Sequence, residues 1–213
     1  MKGVAIAAFS LVAACGGGKE AMPPSRSTDV VVSRLRDPVD VSSFVDVTAD
    51  LRLPRADGPC TPQSLEEARE RYRRQVELFE GDDYERIRIE IERAYALCPS
   101  VKMLYDLAVV ERQLTNLARA YALFEAYLAK ADPPAERVAD VRKRIAEIEP
   151  RIGWIAVECG PGVDHVIVDD GDLTALGACP FRRRLRADVG KRRVQTETFT
   201  LAPGSTVGFS LRR

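Results

Sequence analysis

Between Thr61 and Glu149 the apolar residues recur at three- and four-residue steps, the spacing of one face of an α-helix. Leu65, Ala68, Tyr72, Val76 and Phe79 form the first stripe. Ser64 and Glu67 stand at its start in the order of a capping box. Gly81-Asp82-Asp83 breaks the pattern, and Tyr84, Ile87, Ile91, Ala94 and Cys98 resume it up to Pro99. Leu104, Leu107, Ala108 and Leu114 carry a third stripe, turned by Thr115-Asn116. Leu117, Ala120, Tyr121, Phe124, Tyr127 and Leu128 carry a fourth, stopped by Pro133-Pro134. Val138, Val141, Ile145 and Ile148 carry a fifth, stopped by Pro150. Turns this short make each helix the antiparallel neighbour of the next.

At Gly153 the period changes from helical to two. Residues 154–158 and 166–168 read as strands separated by Gly160-Pro161-Gly162. Residues 181–186 and 192–196 read as a hairpin around Asp188-Val189-Gly190. Phe199, Leu201, Val207, Phe209 and Leu211 supply the last strands, with Pro203-Gly204 between them. The expected fold is α+β and multidomain: a short helical array followed by a small antiparallel β-sandwich. Domain boundaries fall at 60–150 for the helices and 151–213 for the strands.

Residues 15–59 lack a buriable face at their start, with Gly16-Gly17-Gly18 and Pro23-Pro24, and read as a flexible linker. Two Val-rich patches, at 30–32 and 44–47, interrupt it; they could pair as strands or lie against the later domain.

The 32 Lys and Arg balance the 32 Asp and Glu, which argues against a nucleic-acid binder. The first fifteen residues combine Lys2, a short apolar run and Ala13-Ala14 before Cys15. This run is too short to span a bilayer and resembles the lipobox of bacterial lipoproteins. The resemblance implies a signal peptide at 1–14, lipidation of Cys15, and a cell-envelope address, the periplasm-facing outer membrane. Four further cysteines remain, Cys60, Cys98, Cys159 and Cys179. In an exported chain they can form two disulfides or stay as buried thiols. The domain boundaries favour the pairs 60–98 and 159–179.

The helices repeat. Ile87, Ile91 and Ala94 sit at the offsets of Ala120, Phe124 and Tyr127, a period of about thirty-three residues. Residues 68–133 thus resemble two tetratricopeptide repeats plus a capping helix, although Ile87 and Arg71 depart from the usual pattern. Members of that family hold a peptide or partner protein on the concave face; a spacer role is the plainer alternative. Tyr105, beside the buried stripe, is the partner-binding candidate. Residues 153–213 resemble the PEGA domain through Pro161, Val166, Val168, Asp169, Gly177, Pro180, Leu185, Gly190, Val194 and Pro203-Gly204. The displaced Gly171 is a departure. Lipobox, helices and tail in this order resemble a type of myxobacterial lipoprotein.

No catalytic constellation is visible, so an enzyme is not expected, and no cofactor is implied. His165 alone makes no metal site. Asp169, Asp170 and Asp172 around Gly171 could hold calcium, but turns attract the same residues. The remaining chemistry is basic. Arg182, Arg184 and Arg186, with Lys191 and Arg193, are expected to share one exposed face of a hairpin, which also contains Arg183 and Arg192. That face could bind an anionic lipid, lipopolysaccharide or peptidoglycan, or serve as a protective charged edge. The leading functional expectation is a lipid-anchored scaffold for an unknown protein partner, with the anion-binding module as alternative.

Overall fold

The computed structural model of the chain describes residues 30–79, 81–130, 132–169 and 171–213. It is an α+β structure in which helices precede most of the strands. Five helices occupy the expected stretches: α2 (Pro62–Phe79), α3 (Tyr84–Leu97), α4 (Val101–Gln113), α5 (Leu117–Lys130) and α6 (Ala135–Ile148). A shorter one, α1 (Thr48–Arg52), comes before them.

The cap of α2 differs from the expected one. Thr61 and Ser64 bond reciprocally: Ser64 N–H donates to Thr61 Oγ1 at 3.1 Å, and Thr61 N–H to Ser64 Oγ at 2.8 Å. Ser64 is therefore the far member of the box, and Glu67 instead pairs with Arg71 at 2.9 Å. Helix α4 ends in a Schellman arrangement, with Asn116 N–H donating to the carbonyl of Glu111 at 2.9 Å. Thr115 takes the left-handed position of that motif, at φ 63°. The stripes of α3, α4 and α5 face inward as their spacing requires: Ile87, Ile91, Leu104, Leu107, Leu123 and Phe124 are all fully buried in one helical core, whereas Phe79 at the end of the first stripe is exposed.

The strands form two sheets. The larger has the order β1-β9-β3-β6-β2, built from β1 (Val31–Arg34), β2 (Val45–Asp46), β3 (Ile152–Cys159), β6 (Phe181–Asp188) and β9 (Thr206–Arg212). The smaller has the order β5-β4-β7-β8, built from β4 (Ile167–Val168), β5 (Gly171–Asp172), β7 (Gly190–Val194) and β8 (Glu197–Leu201). Ile155, Val157, Leu185, Phe199, Leu201 and Phe209 fill the space between them. The sandwich is mostly antiparallel, but β3 runs parallel to β9 and β2 parallel to β6.

Two expectations are corrected here. Residues 181–186 and 192–196 do not form a hairpin: β6 and β7 lie in different sheets. The chain also changes sheet between β3 and β4, between β5 and β6 and between β8 and β9, so among the described residues consecutive strands pair antiparallel only as β4–β5 and β7–β8. The linker assignment of 15–59 also fails from residue 30 onward. β1 pairs with β9 from Val31↔Arg212 to Arg34↔Phe209, and β2 pairs with β6. Between them Leu35 and Val39 lie over Gly208, where a Cβ would come within 2.9 Å of both. Residues 30–53 are thus a strap across the outer face of the larger sheet. It ends on the helices, with Leu53 packed against their core.

The strap and three polar contacts join the two modules. Asp188 at the end of β6 accepts from the N–H of Ala118 in α5 at 2.8 Å. Arg119 donates to the carbonyl of Arg52 at 3.2 Å. Arg186 pairs with Glu149 at 2.9 Å and stacks on Tyr121. Ile152, the first residue of β3, is buried in the helical core.

Candidate interaction face of the helical module

Helices α2, α4 and α6 carry the same constellation twice. In the first, the Tyr72 hydroxyl bonds Asp106, and the Lys102 ammonium lies 4.7 Å above the Tyr72 ring. In the second, the Tyr105 hydroxyl bonds Asp140 at 3.2 Å, and the Arg137 guanidinium lies 4.8 Å above the Tyr105 ring. Each cation also donates to its tyrosine hydroxyl. The three members recur after 33, 35 and 34 residues, respectively, as the numbering shows. Each unit joins one helix to the helix two places on, so the alternate helices form one continuous face.

The units are electrostatically set. Burial, reinforced by the bond to Asp106, pushes the Tyr72 phenol up, so it stays a donor. Arg144, donating to Asp140 at 3.0 Å, holds that carboxyl below the usual carboxylate range, so it stays an acceptor.

Beside the second unit the face is concave. A groove of about 560 Å³ is lined by Tyr105, Tyr127, Pro134, Arg137 and Asp140 among others. A neighbouring groove of about 440 Å³ continues over Val101, Lys102, Pro133 and the same tyrosines. Tyr105 is half-buried, 5.4 Å from Tyr127 and 5.9 Å from Phe124 between ring centroids. The sequence-predicted Tyr105 is therefore in this groove, but with a structural duty as well. Lys102, Asp106, Arg137 and Asp140 were not singled out from sequence. Their signal was present as an aspartate and a cation recurring about one repeat apart.

Between α4 and α5 lies a buried charge. Glu111 is 0% exposed. Arg119 sits 2.8 Å from it and Asn116 donates at 2.7 Å. Arg119 also reaches Glu92 at 2.5 Å.

The expected basic face is dispersed. Arg186 is corrected from exposed to buried, at 9% exposure. It stacks on Trp154 and Tyr121. Arg184 also lies over the Trp154 ring, 4.4 Å from its centroid. Arg182 remains exposed but lies over Phe44 and bonds Ser43 and Glu158. Alternation had placed these side chains away from the sandwich core correctly; that outer face is covered by the strap and the helices instead of water. Arg183 points to the other side and donates to the carbonyls of Leu173, Leu176 and Gly177. Lys191 and Arg193 are exposed in the other sheet, beside Asp169, which accepts from Arg193 N–H at 3.0 Å. No single surface therefore unites Arg182, Arg184, Arg186, Lys191 and Arg193.

The four cysteines come together in two pairs at disulfide distance. Cys60 and Cys98 have a Cα separation of 4.8 Å, and Cys159 and Cys179 one of 5.6 Å. Cys15 and Asp170 lie outside the described residues. Asp172 caps the following turn at Thr174 N–H, 2.9 Å away, and has His165 at 3.1 Å. Among the described residues no three His, Cys, Asp or Glu side chains converge on a metal position. No helix among them is long and apolar enough to cross a membrane.

Set against family models, curated proteins and solved structures, the chain matches none of them.

Proposed function

We propose that this chain is a lipid-anchored scaffold of a bacterial cell envelope that holds an extended segment of a protein partner along the α2–α4–α6 face. The observation that carries the reading is the twice-repeated Tyr–cation–Asp unit beside a groove of about 560 Å³. The repeat offsets support a tetratricopeptide-like array, and a groove with two tyrosines and adjacent prolines offers rigid aromatic area for a peptide. The sandwich, with its turns at Gly160–Gly162 and Pro203-Gly204, supports a PEGA-like tail. Anchoring is assigned to Cys15, and a catalytic role is left out. The alternative anion-binding module is weakened by the dispersal of its arginines.

The test is capture of envelope proteins from the native host by photocrosslinking from Pro134, with mass-spectrometric identification. Tyr105→Ala should reduce capture of a specific partner about tenfold, whereas replacing Arg182 and Arg184 with Ser should leave it unchanged. Tyr105→Phe keeps the ring and controls for loss of the Asp140 bond. If the arginine variant loses the partner while Tyr105→Ala keeps it, the reading is wrong. Cys15→Ala should release the protein from membranes; retention under high salt refutes the anchor.

A further inference from the structure

The register of the larger sheet gives the molecule two ends. β1 begins at Val31 beside Arg212, and the neighbouring Leu211 lies beside Cys159 of β3. The chain coming from Cys15 therefore enters at the Cys159 end of the sandwich. The helices attach at the other end. Ile152 is buried among them, and its strand partner Asp188 accepts from Ala118 N–H at the start of α5. The eight residues of β3 separate these ends, which at about 3.3 Å per residue is about 26 Å. The chain between Cys15 and Val31, about sixteen residues at no more than about 3.6 Å each, limits how far the Cys159 end can stand from a lipid on Cys15, and the other end can stand farther by the length of β3. A lipid on Cys15 thus holds one end of the sandwich nearer the bilayer than the other.

From Val31 onward the strap leaves no joint to undo this order. Four residue pairs fix β1 to β9, and Leu35 N–H donates to the Gly208 carbonyl at 2.9 Å. β2, α1 and the Arg119 bond to Arg52 carry the same segment across to the helices.

We infer that the Cys159 end, with the Gly160–Gly162 loop, Arg212 and Arg213, is a lipid-facing surface, and that the sandwich stands between the bilayer and the helical module. The inference rests on the lipid-anchor reading, so its test separates the two. The purified full chain, with its four other cysteines paired, is coupled through Cys15 to maleimide lipids in phosphatidylcholine vesicles. A donor dye is placed in turn at Pro161, Arg86 or Lys143 through a non-canonical amino acid, and acceptor dyes are placed on lipid headgroups. Circular dichroism and thiol counts confirm that each labelled chain is folded. Energy transfer from position 161 should exceed that from 86 and from 143 at least about twofold, given the length of the sandwich. Equal transfer from all three, or greater transfer from either helical site, overturns the inference. Incorporation of labelled fatty acid at Cys15 in cells tests the anchor itself and can fail independently of the vesicle result.

Discussion

Arg119→Ala removes the main partner of the most deeply buried carboxylate among the described residues of the helical module. Glu111 is 0% exposed, with Arg119 at 2.8 Å. Breaking a buried pair costs about 3–5 kcal/mol, because the surviving charge stays desolvated. Arg119 is itself 21% exposed, and Asn116 remains bonded to the carboxylate, so the lower end, about 3 kcal/mol, is expected. Loss of the contacts to Glu92 and to the Arg52 carbonyl acts in the same direction. The cost should depend on pH. Burial already pushes the Glu111 carboxyl up, and Arg119 is the chief influence opposing it. Without Arg119 it rises further. A folded-state pKa above the unfolded value means that the native state holds the proton more tightly. That contribution is fully present below the unfolded pKa and is lost as pH rises through the folded one. The variant should thus approach the wild type as pH falls toward the ordinary carboxylate value and fall further behind as pH rises through the folded-state one. Urea unfolding followed by far-UV circular dichroism, together with the fluorescence of Trp154, measures the difference. Adding Glu111→Gln to Arg119→Ala should recover most of the loss, since an amide can be buried without charge. A loss below about 1 kcal/mol at neutral pH, a loss that does not vary with pH, or no recovery in the double variant refutes the reasoning.

Three further outcomes are expected. Thr115→Gly should stabilise the chain by about 1 kcal/mol in the same urea assay, because a β-branched residue at φ 63° is replaced by one that tolerates it. Gly208→Val should cost about 1–3 kcal/mol by pushing Leu35 and Val39 aside, and amide exchange at Leu35 should accelerate. Non-reducing peptide mapping should find 60–98 and 159–179, and replacing Cys159 and Cys179 with Ser should lower stability by about 2–4 kcal/mol.

The helices were legible because their signal is local. The apolar steps of Ile87, Ile91 and Ala94, the stop at Pro99, and the turn at Thr115-Asn116 lie within a few residues of what they specify. The cysteine pairs followed from the domain boundaries, which keep each pair within one module. The sandwich was legible only as a set of strands. A turn such as Asp188-Val189-Gly190 shows that the chain reverses, but the same residues serve a hairpin and a step between sheets. Taking the hairpin placed Lys191 and Arg193 on one face with Arg182, Arg184 and Arg186, although their strands lie in different sheets. Alternation did put Leu185 inside and Arg186 outside, since that needs only the pleat. What covers the outside is a long-range fact. Arg186 meets Tyr121, Trp154 and Glu149, and Arg182 meets Phe44; no periodicity around residue 186 encodes those partners. The strap was legible in part: the patches at 30–32 and 44–47 read as strands or as segments against the later domain, but β2 is two residues long and its partner β6 lies far along the chain. The face on α2, α4 and α6 lies between these cases. Its parts are far apart in sequence but recur after 33 to 35 residues, so a search for repeated polar residues, rather than repeated apolar ones, finds Tyr72, Lys102 and Asp106 again as Tyr105, Arg137 and Asp140. A run of arginines records composition; its exposure is decided by the elements packed over it.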